Sequence, residues 1–221
     1  MGLNKFIAVG LRAFLQAPYN ASTGLMSDAL RVGTGGNIIP LTDPYRNPAL
    51  PYSTTFIHVA NAATETAAAS VFNAQSSSND DIVDWVFLQL RNTAASPGNT
   101  VLQTRSALIQ RDGDIVDVDG VSPVTFNNVP NGTYALSIRH RNHQGLSIDP
   151  VASPRTLTET KSLAFSTNVV DMRTATDPQL FGTAAAYTTA AHPVLGTVNL
   201  LWGGEASGNT TVRYTNPGND K

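Results

Sequence analysis

The chain of 221 residues contains no cysteine. Disulfide bonds, cysteine-ligated zinc, iron–sulfur clusters and thiol nucleophiles are therefore excluded. Lysine is also rare, and charged residues make up only 14% of the chain, with a net charge of -2. Because a nucleic-acid-binding surface needs a basic stripe, the sequence indicates no nucleic-acid partner.

Long apolar runs are missing as well. No stretch of about eighteen apolar residues occurs, so we expect no membrane span. The N-terminal segment has Lys5 ahead of an apolar stretch, as a signal peptide does. However, Arg12 interrupts that stretch and no small-residue cleavage site follows, so we interpret the segment as a β-strand.

The chain does contain apolar side chains at every second position, the pattern of β-strands. Within "DIVDWVFLQLRN", Val86, Leu88 and Leu90 share one face. Trp85 and Phe87 share the other face, so this strand is expected to be covered on both sides. With turns at "RDGD" and "VPNG", the sequence predicts an all-β protein. We expect an antiparallel β-sandwich of the immunoglobulin- or transthyretin-like kind with long irregular loops.

Residues 1–221 are expected to form one β-sandwich domain, with a weak boundary near 76–81, where "SSSNDD" interrupts the strand pattern. Region 82–143 is predicted to be a continuous antiparallel core without a helix of more than two turns. "TTFIHVAN", residues 54–61, is predicted to be a strand, and residues 177–193 are expected to be irregular.

Several motifs resemble one protein family in the same order. "IVDWVFLQLRN", "RDGDIVDVDG" and "RHRNHQG" resemble the C-terminal region of large secreted surface proteins of Bacteroidetes, labelled hemagglutinin or adhesin-like. The opening "FLQAPYNASTGLMSDALR" and the ending "LLWGGEASGNTTVRYTNPGNDK" are similar to the two ends of that region. The resemblance covers most of the chain. It implies an extracellular or cell-surface location and an adhesive role, and it implies no reaction.

The ending of the chain also resembles a calcium loop, in which acidic and amide oxygens surround the ion. Two of the expected carboxylates are replaced. Bound calcium would therefore involve Glu205, Asn209 or Asp220, and a site that no longer binds metal is the alternative. In residues 112–119 the spacing of a calcium loop is not met because Val116 occupies a ligand position, so we interpret this segment as a hairpin turn. No other cofactor is indicated.

Two histidines stand close together in "YALSIRHRNHQGLSID". Along one continuous strand, His140 would extend an apolar row while His143 would lie on the opposite, polar face. Rings on opposite faces cannot share a metal ion. We therefore interpret His140 as a histidine at the edge of the core, hydrogen-bonded to backbone, with Asn142 in a turn. We expect no catalytic residue here.

The N-terminal strand has more apolar surface than one sheet face can cover. We therefore predict that it contacts another subunit or the rest of a larger assembly. The alternative is a central strand with both faces buried inside one subunit. The predicted contact residues are Phe6, Ile7, Val9, Leu11, Phe14 and Leu15.

The sequence contains no serine-hydrolase, zinc-protease or phosphate-loop motif. Its few glutamates stand in polar loop settings, which disfavours a hydrolase, although a deep pocket with two facing carboxylates would favour one. Our hypothesis is an extracellular, non-enzymatic structural or adhesive β-sandwich protein. It would self-assemble into oligomers or filaments through strand and edge contacts, or bind a surface ligand. The alternative is a carbohydrate-binding module in which Trp85, Trp202 and tyrosines stack on a glycan.

Overall fold

β-Strands form most of the regular structure. The computed structural model describes residues 6–32, 36–73, 78–93, 100–148, 154–159, 168–174 and 187–203. The described strands are β1 Phe6–Arg12, β2 Tyr19–Asn20, β3 Leu25–Met26, β4 Ile82–Arg91, β5 Val101–Gln110, β6 Asp114–Val116, β7 Val124–Asn127, β8 Gly132–His140, β9 His143–Ser147, β10 Arg155–Leu157, β11 Val169–Asp171, β12 Tyr187–His192 and β13 Gly196–Leu201. The described helices are short: α1 Ala29–Val32, α2 Ala69–Phe72 and 3-10 helices at Pro44–Arg46 and Pro51–Thr54. The all-β prediction is confirmed.

Nine strands form one sheet in the order β10-β8-β4-β5-β6-β1-β11, with β7 beside β1 and β9 beside β8. Its pairings are antiparallel except that β1 and β11 run parallel. The described residues within 82–143 contain strands and turns but no helix, as predicted for an antiparallel core. None of the helices in the described ranges could span a membrane.

Strand β4 is an interior strand of this sheet, between β8 and β5, and separates two hydrophobic cores. Val86 and Leu88 pack into the larger core, whereas Trp85 and Phe87 pack into the smaller one. The predicted alternation of β4 is therefore confirmed, because successive side chains of a strand point to opposite faces. Segments outside the regular strands contribute much of the smaller core, through Ile39, Tyr45, Phe56, Ala67 and Phe72.

Strand β1 is an interior strand of the sheet. It pairs with β6 and β7 on one side and with β11 on the other. Side chains without exposed area cannot contact another subunit while the fold is kept, so the structure favours the central-strand alternative over the predicted interface. Phe6 is half-buried, and the other five predicted contact residues are at most 1% exposed: Ile7, Val9, Leu11, Phe14 and Leu15.

Two secondary-structure predictions are wrong. Residues 54–61 form no strand. Instead, Val59 accepts a hydrogen bond from the Thr104 N–H at 3.0 Å and donates one to the Thr104 hydroxyl at 3.0 Å, so a side chain replaces a backbone partner. Residues 187–192, predicted to be irregular, form β12 because they pair with β13. Their Ala- and Thr-rich sequence carries little hydrophobic signal, and tertiary pairing decides their conformation.

Asn168 joins the two end strands of the sheet. Its side-chain amide donates to Thr158 O at 3.0 Å and to Ala8 O at 2.9 Å, while its side-chain oxygen accepts from Thr158 N at 3.1 Å. Thr158 directly follows β10, and Asn168 directly precedes β11. The backbone groups of Thr158 are therefore already paired and do not offer a free edge at this point.

We expect Leu11→Ala in β1 to lower the free energy of unfolding by about 2–5 kcal/mol, because it leaves a cavity in the larger core. Val194→Ala is the control, because the Val194 side chain is 84% exposed. It should change the free energy of unfolding by about 0.5 kcal/mol or less. Urea unfolding followed by circular dichroism measures both. If the loss of stability caused by Leu11→Ala disappeared at low protein concentration, Leu11 would instead contact another subunit.

Candidate functional site

The two histidines of the "RHRNHQG" motif face each other across a turn. Strand β8 ends at His140, β9 begins at His143, and the two are cross-strand partners. Their ring centroids lie 4.8 Å apart and their Nδ1 atoms 2.9 Å apart. The predicted placement on opposite faces is wrong because the chain reverses between them, and cross-strand partners share one face. The predicted role of His140 agrees with the structure, since the Asn142 N–H donates to its Nδ1 at 3.1 Å.

The hydrogen-bond partners assign the protons on both rings. The Ala17 N–H donates to His143 Nε2 at 3.3 Å, so the proton of His143 is on Nδ1. That Nδ1–H donates to His140 Nδ1, which leaves the His140 proton on Nε2. His140 Nε2 then donates to Asp84 Oδ2 at 3.1 Å. Both rings are neutral in this arrangement, and one chain of hydrogen bonds runs from Ala17 to Asp84.

Asp84, from the "VDWV" motif, is the anion at the end of this chain. Both of its oxygens accept from Arg141 Nη2, at 2.7 and 2.6 Å, and Oδ1 also accepts from the Trp85 N–H at 2.8 Å. Burial by itself would raise the pKa of Asp84, but the His140 hydrogen bond and the Arg141 charge outweigh it and lower that pKa. Burial lowers the pKa of His143 from 6.5 to about 3.

This His–Asp cluster is suited to holding the fold rather than to reacting with a substrate. The side chains of Asp84 and His140 are almost fully buried, and their donors and acceptors bond to one another, to Arg141, to His143 or to backbone. A catalytic base must reach its substrate within hydrogen-bond distance, which this burial prevents. The two motifs "VDWV" and "RHRNHQG" thus meet in one cluster that joins β4, β8, β9 and the segment after β1.

A second cluster, Asp43, His58 and Glu65, lies among the irregular segments over the smaller core. The Asp43 N–H donates to Glu65 O at 2.9 Å beside an isolated antiparallel bridge between Thr42 and Thr66. Asp43 also caps the 3-10 helix Pro44–Arg46 by accepting from the Tyr45 N–H at 2.8 Å. One ligand atom from each of the three side chains lies within 4.8 Å of the others.

Strand β5 and the smaller core hold this second cluster in place. Glu65 Oε1 accepts from Arg105 Nε at 3.1 Å and from the Ser106 N–H at 3.3 Å. Arg105 in turn donates to Asp117 at 2.8 Å. The His58 ring stands edge-on to Phe87, with centroids 4.9 Å apart. The His58 ring also borders a cavity of about 480 Å³.

Sequence reasoning missed the second cluster, because its spacing matches no metal-binding motif and its residues stand in irregular segments. The only local signal is the Asp-Pro pair at residues 43–44, typical of a helix start. The predicted calcium ligands Glu205, Asn209 and Asp220 lie outside the described residues, so that prediction stays open.

The acidic residues of 112–119 serve the turns and the neighbouring strands. Asp114 pairs with Arg12 at 2.6 Å, and Asp117 pairs with Arg105. Asp119 Oδ1 accepts from two backbone N–H groups, those of Val121 and Ser122. These partners agree with the interpretation of the segment as a structural turn.

We expect the neutral, buried His143 to make stability pH-dependent. Between pH 6.5 and 3 the unfolded His143 binds a proton that the folded one does not, so stability falls as the pH is lowered. The slope is up to about 1.4 kcal/mol per pH unit. His143→Gln should lack this contribution, so the stability difference from wild type should shrink below about pH 6.5 and stay constant above about pH 7.5. Urea unfolding over this range measures it; a difference independent of pH would contradict the assignment.

Comparison with known proteins identifies no relative: no family model, no curated protein and no solved structure matches the chain. The resemblance to adhesin-like surface proteins therefore stays a prediction from the motifs.

Proposed function

We propose that this is an extracellular, non-enzymatic structural or adhesive β-sandwich protein that works by contact with further copies of itself. The observation that carries the proposal is an exposed apolar patch, formed by Leu30, Val32 and Ile38. The proposed location outside the cell rests on the motif resemblance.

Two residues of the apolar patch, Leu30 and Ile38, lie side by side, and Val32 is two residues from Leu30 in α1. Leu30, Val32 and Ile38 are 38%, 43% and 68% exposed. The Ile38 N–H donates to Leu30 O at 2.9 Å, which holds the two residues side by side. Contiguous apolar surface on a folded chain is typical of an interaction site, whereas isolated apolar residues are common everywhere.

The charge of the chain favours a second copy as the partner. The net charge is -2 and charged residues are few, so copies of the chain repel one another weakly. Lysine, which is depleted at protein interfaces, occurs only three times. The apolar patch supports the proposal better than edge pairing does, because Asn168 already occupies the backbone groups of Thr158.

A non-enzymatic role is supported by the structural roles of the side chains that could act as catalytic groups. Asp84, His140 and His143 are buried and bonded to one another. The side chains of Asp43 and Glu65 are only 0% and 6% exposed, so neither carboxylate faces an open groove. A catalytic carboxyl group has to reach its substrate within hydrogen-bond distance, and this burial therefore gives a hydrolase little support.

Glycan binding is the second candidate, and Trp202 is the observation that favours it. Its side chain is 37% exposed, as a sugar-stacking residue must be. Trp85, by contrast, is fully buried and donates its indole N–H to Pro40 O at 2.8 Å. Trp85 is therefore a core residue and offers no face to a sugar.

Sedimentation velocity over a wide range of protein concentration tests self-association. We expect the wild type to form larger species at high concentration. Ile38→Asp should weaken the association more than about tenfold, because it places a charge in an apolar contact. Val121→Asp is the control for the added charge, since Val121 is 73% exposed and is not one of the three patch residues, and it should leave association unchanged.

A wild type that stays monomeric at all concentrations would contradict self-association. Glycan-array binding that is lost in Trp202→Ala would then establish the second candidate. Equal weakening by Ile38→Asp and Val121→Asp would show that the apolar patch is not the contact surface.

A further inference from the structure

Two buried carboxylates of the second cluster each keep one oxygen without a hydrogen bond. Glu65 Oε1 is occupied by Arg105 and Ser106, but Glu65 Oε2 accepts no hydrogen bond. Asp43 Oδ1 is occupied by the Tyr45 N–H, but Asp43 Oδ2 accepts none. The two side chains are 6% and 0% exposed. Buried polar atoms are nearly always satisfied, so this pair of unused oxygens calls for a missing partner.

His58 supplies a third unused atom beside them. Its Nε2 lies 3.3 Å from Asp43 Oδ2, and neither ring nitrogen has a hydrogen bond. The ring is 8% exposed, and its edge-on contact with Phe87 limits its rotation. One imidazole nitrogen and two carboxylate oxygens therefore converge from three separate segments.

In the described part of the chain, Arg46 is the only cationic group within ion-pair distance of both unused oxygens. Its Nε lies 3.5 Å from Asp43 Oδ2 and 3.8 Å from Glu65 Oε2, and it makes no hydrogen bond. Its Nη2 donates to Asn61 O at 2.6 Å, and the side chain is 20% exposed. Arg46 thus balances the two negative charges without satisfying the oxygens, and its partial exposure leaves a path out to solvent.

We propose that Asp43, His58 and Glu65 bind one divalent transition-metal ion, with Zn²⁺ as the best match. Zn²⁺ takes histidine nitrogen and carboxylate oxygen at about 2.0–2.2 Å, and three protein ligands leave a position for water. Ligand atoms around a tetrahedral ion are then roughly 3.4 Å apart, close to the 3.3 Å between His58 and Asp43. Ca²⁺ and Mg²⁺ prefer oxygen ligands and fit less well.

The surroundings resemble those that metal ligands need. Arg105 and Ser106 fix the Glu65 carboxylate, and the Tyr45 N–H fixes that of Asp43, so each keeps its free oxygen pointed away from its own anchor. Such outer contacts orient ligands and raise metal affinity. The cavity of about 480 Å³ beside His58 offers a route of entry. This site uses none of the predicted calcium ligands and does not depend on the proposed self-association.

Isothermal titration of the full, chelator-treated chain with Zn²⁺ tests the proposal. We expect one Zn²⁺ per chain and a melting temperature raised by roughly 5–10 °C at a free Zn²⁺ concentration about a hundred times Kd. Ca²⁺ and Mg²⁺ should not displace Zn²⁺. Glu65→Gln and His58→Gln should each weaken binding more than about tenfold. Asp119→Asn with His192→Gln, an acid and a histidine elsewhere, is the matched control and should leave it unchanged.

Arg46→Gln separates a metal site from a buried ion pair or bridging water. If the site binds Zn²⁺, removing the neighbouring positive charge should strengthen binding by about tenfold or more. Zn²⁺ should then restore the melting temperature that Arg46→Gln loses. No Zn²⁺ binding by the wild type, or binding unaffected by Glu65→Gln and His58→Gln, would overturn the proposal.

A Co²⁺ titration of the wild type gives a test that needs no variant. We expect the strong visible absorption of a low-coordinate Co²⁺ ion. Equimolar Zn²⁺ should abolish this absorption by displacing Co²⁺. Only the weak absorption of hydrated Co²⁺ would count against the site.

Discussion

Strand β4 is apolar on both faces, and both faces have to be covered. On one side, Val86 and Leu88 pack into a core enclosed by the nine-stranded sheet and the hairpin of β12 and β13. On the other side, Trp85 and Phe87 are covered largely by segments between residues 37 and 73 that form no regular strand. An irregular cover brings polar backbone and side chains next to a core, and these must find partners. This requirement places Asp43, His58 and Glu65 where they are.

The two polar clusters satisfy their buried charges differently. In the His–Asp cluster, both oxygens of Asp84 bond to Arg141, and a chain of neutral rings continues to the backbone of Ala17. All ring nitrogens of His140 and His143 and both oxygens of Asp84 have partners, and such a network stabilises one arrangement of the strands that meet there. In the second cluster, Asp43 and Glu65 each use one oxygen as an anchor and leave the other unused. The second cluster is therefore the one suited to accept a further group.

The alternation of β4 was predictable because it depends only on the period of two along a strand. The same period of two left the burial of β1 open. Ile7 and Phe14 lie on apolar faces whether β1 contacts another subunit or is a central strand. Alternation alone does not show whether the same chain covers those faces. The prediction put His140 and His143 on opposite faces because it assumed one continuous strand. The chain instead turns after His140, and a turn changes the face that alternation assigns to the residues beyond it. The motifs themselves were informative, since "VDWV" and "RHRNHQG" meet in one cluster.

Composition and local periodicity are properties of neighbouring residues, so the strand class, the two-sided burial of β4 and the absence of cysteine chemistry could be read from the sequence. The pairing of β1, the link that Asn168 makes between the two ends of the sheet, and the convergence of Asp43, His58 and Glu65 depend on tertiary contacts. Those three residues come from segments without periodicity, and their meeting depends on how the chain packs over Phe87. Long-range packing of this kind leaves no spacing in the sequence from which it can be inferred.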